Sequence, residues 1–187
     1  MELIESVKII ERMMQEGKKS LHNYSAYFIV WGLVMAPAGI VEYFMIDSPY
    51  SWVVWPIATF IGGIISAILG YLQGKKEQVF TAMDRVVAYT WGAFGFCLIF
   101  AIFYSLYLGK TPHTLVLMLA GGATFVSGGI SKFKPFIWGG IALEVAAIAC
   151  GFLVEAEFHG VVFAGGILLG YIIPGFLLRN IENEPTQ

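Results

Sequence analysis

PFIWGGIALEVAAIACGFLV, residues 135–154, is twenty residues long and carries one charge, Glu144. A helix of about that length, rising 1.5 Å per residue, covers the hydrocarbon core of a bilayer. Glu144 stands near its middle, about 14 Å in from the nearer boundary. An ionised side chain at that depth costs about 2.5–3.5 kcal/mol on insertion scales. The stretch therefore sets the fold class, a membrane-spanning helix, and poses the first functional question, the task of its acid.

The rest of the chain has the same character. Of 187 residues, 58% are hydrophobic and 13% charged, against about 25% charged in soluble domains. Five more apolar runs, near 25–46, 52–72, 86–108, 113–130 and 159–178, bring the expected spans to six. The fold expected is all-α and polytopic. The connections after the first, third and fifth runs are short, so those pairs form antiparallel hairpins. Pro37, Pro56 and Pro174 fall inside runs and are expected to kink them. Residues 1–24 are charged throughout and lack the apolar core of a secretory signal, so the first span is expected to be retained.

Flanking charge sets the orientation. Lys8, Arg12, Lys18, Lys19, Lys75, Lys76, Arg85, Lys132, Lys134 and Arg179 fall on one side, and only Lys110 on the other. Both termini are expected in the cytoplasm of a bacterial inner membrane. Residues 1–23 form a cytoplasmic amphipathic helix in this scheme, with Leu3, Val7, Ile10 and Met14 along one face. Residues 24–179 form the transmembrane domain, 74–85 includes a short interfacial helix, and 180–187 form a polar tail.

The six runs show an internal pattern. Each odd run has an aromatic residue shortly before Trp-Gly: Phe28 with Trp31-Gly32, Tyr89 with Trp91-Gly92, Phe136 with Trp138-Gly139. Each even run has paired glycines: Gly62-Gly63, Gly121-Gly122, Gly165-Gly166. Trp and the first paired Gly are separated by 31, 30 and 27 positions. Three tandem hairpin repeats, about 24–73, 84–131 and 134–179, are expected, all inserted the same way. Small residues let helices approach closely, so the paired glycines are assigned to packing inside the monomer. A homodimer seam, or a seam with a partner membrane protein, is the alternative.

Candidate chemistry is sparse. Glu144 has no Lys or Arg at its depth, and Thr124, Thr59 and Tyr171 are its expected hydrogen-bonding neighbours. Two readings stand: a proton-titrating or cation-binding carboxylate facing a cavity, or a neutral acid joining two helices. Glu42, near the outer end of the first run, is either a rim residue reaching water or part of an outer vestibule. Glu155, Glu157 and His159, at i, i+2 and i+4, could with Asp47 and His113 hold a divalent metal; a solvated acidic loop is the default. Cys97 and Cys150 lie inside apolar runs, and no disulfide between them is expected. No nucleophile, zinc or phosphate-loop motif occurs, so no enzyme and no cofactor are expected. Histidines at the span edges argue against membrane haem, and no extended basic patch suits nucleic acid.

Several segments together carry a resemblance: the amphipathic IIERMM region, GGIISAILGYLQGKK (62–76), FVSGGISKFKP (125–135) and GYIIPGFLLR (170–179). Over nearly its whole length the chain resembles a family of small, uncharacterised six-helix bacterial inner-membrane proteins. The resemblance implies that location and carries no activity or site residues. The expected function is a non-catalytic module that senses, scaffolds or regulates a partner in the lipid bilayer. The alternative is a small transporter or channel for protons, cations or a small solute, with Glu144 lining a central cavity.

Overall fold

The computed structural model describes residues 24–74 and 82–183, with side chains described for 24–74 and 85–180. The amphipathic helix expected before residue 24, much of the 74–85 connection and most of the tail lie outside the described residues. Within them the chain is helical: α1 (Tyr24–Phe44), α2 (Val54–Gly74), α3 (Ala82–Tyr107), α4 (His113–Ser131), α5 (Lys134–Ile148), α6 (His159–Ile167) and α7 (Ile173–Asn183). A π-helical turn, Ala149–Leu153, extends α5, and another, Leu168–Ile172, joins α6 to α7 as one span. Six segments are long and apolar enough to cross a membrane. Their ends fall within three residues of those expected from the sequence.

Local chemistry explains the turns. Gly109, at φ +64°, ends α3 in the left-handed conformation that glycine adopts without a Cβ clash. Lys132 takes a similar conformation, φ 54°, at the end of α4, and the Phe133 N–H caps the Gly128 carbonyl at 3.0 Å. Pro135 then opens α5, where a missing N–H costs nothing. Pro56 sits in the first turn of α2, so the kink expected there has no cause. Pro174 directly follows the π turn. Cys97 and Cys150 are both free, the first exposed and the second buried.

In lipid, apolar burial gives little net drive between helices, so close packing decides the arrangement. The α4–α5 pair is held backbone to backbone. A Cβ on Gly128 would stand 2.7 Å from the Ile137 nitrogen, and one on Gly140 2.7 Å from the Phe125 nitrogen. Gly139 and Gly170 bring α5 equally close to the π turn of the last span. Gly39 of α1 and Gly160 of α6 meet in the same way. The core between these helices is filled by Leu117, Phe136, Leu143 and Phe163.

The three hairpins are not packed alike. α1, α4, α5 and the α6–α7 span form the buried part of the bundle, while α2 and α3 bury little of themselves. α2 rests mainly on α1 and α3 mainly on α4, and the two hardly touch each other. The expected Trp-Gly motifs also diverge. Phe28 and Phe136 stack on each other, ring centroids 4.1 Å apart, but Tyr89 points outward at 73% exposure. Trp91 fills the place instead, with its ring 5.6 Å from Phe28. Trp31 packs on Gly62, whereas Trp138 is 69% exposed. Of the paired glycines, Gly62, Gly121 and Gly166 are packed, and Gly63 and Gly165 face open space.

Candidate functional site

Two places in the bundle have functional geometry. The first is a cavity of about 450 Å³ enclosed by α1, α2, α3, α4 and the last span. Its volume falls in the range of sites that hold small organic ligands. Tyr24, Tyr27, Phe28 and Trp31 of α1 form one wall, and Trp91 and Phe94 of α3 another. Because α2 and α3 stand apart, the cavity lies behind the gap between them. No charged side chain among the described residues lines it.

The polar groups of the wall are largely tied to the protein. Trp91 Nε1 donates to Ser127 Oγ at 3.2 Å. Tyr171 lies against Thr124, whose own hydroxyl donates to the Ala120 carbonyl at 2.7 Å. Ser127 and Ser131 likewise donate back to carbonyls one turn earlier, the usual way a hydroxyl is satisfied inside a membrane helix. Ser66 Oγ differs: it is buried at the wall without a hydrogen-bond partner among the described residues. Thr59 is the other α2 hydroxyl residue on the lining.

The second place is a polar cluster at the end of the bundle expected to face outward. Glu42 Oε2 lies 2.7 Å from His113 Nε2, with the two side chains 13% and 3% exposed. The close approach of Gly39 and Gly160 sets the Glu42 carboxylate over α6. Trp55 of α2 packs edge-on against His113, centroids 5.0 Å apart, and its indole lies beside the same carboxylate. Its Nε1 nevertheless makes no hydrogen bond of good geometry. His159 stands 5.8 Å from His113, ring to ring, and is held by Thr111 Oγ1 at 2.9 Å and the Val154 carbonyl at 3.2 Å. Phe163 touches both Trp55 and His113 and also lines the cavity, so the cluster sits against the cavity's end.

The residues singled out from sequence fall differently from expectation. Glu144 is half-buried between α5 and α4, its Oε1 against Gly121, and it does not line the cavity. It makes no hydrogen bond or ion pair among the described residues. Thr124 and Tyr171, its expected neighbours, are engaged with each other, and Thr59 lies on the cavity wall. Glu42, expected at a rim or vestibule, is the anchor of the buried cluster. Glu155 and Glu157 are exposed, and His159 has both ring nitrogens engaged within the chain. No group of three His, Cys, Asp or Glu among the described residues could hold a metal ion. Sequence reasoning noted His113 as an edge residue and a possible metal ligand, and did not pair it with Glu42. The available signal was that Glu42 and His113 lie at matching depth in two different runs.

Comparison with protein-family models, curated proteins and solved structures finds no match to this chain.

Proposed function

We propose that this chain is a non-catalytic sensing or regulatory module of the bacterial inner membrane, with both termini cytoplasmic, that takes an apolar small molecule into its bundle. One observation carries the reading: a cavity of about 450 Å³ at membrane depth, walled by aromatic and aliphatic side chains and free of charge. Such a wall suits an apolar ligand held by dispersion and by ring contacts. It offers no ligand shell for a permeating ion, which needs carbonyl or charged rings along its route. The transport alternative requires Glu144 on the cavity wall, and that carboxylate is directed at Gly121 instead.

In this reading the three hairpins descend from one repeat. The Phe28–Phe136 stack supports that view, and Tyr89 and Trp138 are the positions at which the copies have diverged. The N-terminal amphipathic helix would carry the response to a cytoplasmic partner.

Native mass spectrometry of the full chain from mild detergent tests the proposal. A retained apolar molecule is expected on the wild type and lost on Ala120→Phe, which projects a ring into the cavity. Removal of residues 1–16 should release a co-purifying protein and leave the bundle folded. A wild type that carries no apolar mass and conducts protons or cations in liposomes would overturn the reading.

A further inference from the structure

The cluster around Glu42 lies outside the cavity reading and has an incomplete hydrogen-bond inventory. An ionised carboxylate only accepts, so the 2.7 Å contact places the proton on His113 Nε2. In the neutral ring His113 Nδ1 is a bare lone pair, fully buried and without a partner among the described residues. Buried polar atoms are rarely left so, and an orphan calls for a role. His159 supplies the contrast. Its Nε2 donates to the Val154 carbonyl and its Nδ1 accepts from Thr111, so both nitrogens are satisfied.

We propose that His113 is a proton-binding site, with Glu42 as the residue that positions and neutralises it. A proton from the medium at that end of the bundle adds to the Nδ1 lone pair. The Nε2–H···Oε2 bond is kept, and no other bond forms or breaks. The net charge of the pair goes from −1 to 0, so the proton removes an uncompensated carboxylate from a poorly solvated place. The Glu42 side chain, 13% exposed, gives the cluster its contact with water.

The neighbours are accounted for on every element packed there. α1 contributes Glu42 and the last span His159, and these are the titratable groups that act on the pair. α2 contributes the Trp55 ring and α6 the Phe163 ring. No lysine or arginine among the described residues acts on Glu42 to compete with the proton. The site therefore answers to protons through one imidazole.

Imidazole nitrogen NMR tests this on the full chain, labelled with nitrogen-15 and held in lipid nanodiscs. His22→Asn and His159→Asn assign the signals. The expected result is that His113 holds a single Nε2–H tautomer at the alkaline end of a pH scan and gains a second N–H on acidification. Glu42→Gln, close to isosteric, should give mixed tautomers and a displaced midpoint, while Glu42→Asp should retain the single tautomer. A His113 that keeps one form across the scan, or that titrates identically in wild type and Glu42→Gln, would overturn the assignment.

Discussion

Glu42 and His113, seventy-one positions apart in the chain, meet at 2.7 Å and join the C-terminal end of α1 to the start of α4. Removing the acceptor of a buried hydrogen bond leaves its donor unsatisfied, which costs about 1–3 kcal/mol. Glu42→Ala is expected to lower unfolding stability in detergent by about that amount. The exchange Glu42→His with His113→Glu should recover more than half of the loss. Equal damage from the single and exchanged variants would mean that shape, and not the pair, matters.

Glu144→Gln is expected to behave in the opposite way. The Glu144 carboxylate makes no hydrogen bond or ion pair among the described residues, and it lies against Gly121. Deleting a charge that lacks a partner removes a cost, so stability should stay within about 0.5 kcal/mol or rise. Denaturant unfolding followed by circular dichroism measures it. A loss above about 2 kcal/mol would reveal a partner in the regions not described.

The glycines divide into two groups that one experiment separates. Gly140→Ala would press a methyl group onto the Phe125 nitrogen and the Gly121 carbonyl, at 2.7 and 2.8 Å. Both are backbone atoms and cannot turn aside, so a loss of about 1–3 kcal/mol is expected. Gly63→Ala and Gly165→Ala meet nothing within 4 Å and should match or slightly exceed the wild type, because alanine is the better helix former. If either of these two weakened self-association on size exclusion, its face would be a seam between copies.

Phe28 ties three other rings of the core together. It stacks on Phe136 and meets Trp91 and Tyr171 edge-on, at 5.6 and 5.2 Å. Phe28→Ala is expected to cost about 3–5 kcal/mol and to enlarge the cavity it lines. Phe28→Leu should recover part of that. Thermal unfolding gives the cost, and the mass of retained apolar ligand reports the cavity.

The spans were legible because length and apolarity are properties of a run, and the bilayer fixes both. The stop at Gly109 and the opening of α5 at Pro135 follow from residue types that suit them. The site was much less legible. Glu144 drew attention because it interrupts an apolar run, yet its depth says nothing about which side of the helix faces a cavity. Glu42 and His113 sit at run edges, where a polar residue is ordinary, and only packing brings them together. Tyr89 and Trp138 match a repeated motif but are exposed, because α3 and α5 present different faces to the bundle. A motif is a pattern in sequence; the neighbour that each occurrence finds depends on packing.

The two π-helical turns make the length of this chain locally adjustable. In each, backbone hydrogen bonds reach five residues back, as from the Val154 N–H to the Ala149 carbonyl at 3.0 Å. Such a turn absorbs one residue more than an α-helix would. Deleting exposed Phe152 or Leu169 lets the helix close into regular form while the flanking faces keep their phase. The same deletion in α4 would rotate every later side chain by about 100° and strip Gly128 and Gly121 from their contacts. Insertions and deletions between related chains should therefore collect at 149–153 and 168–172, and the helices between them should keep constant length.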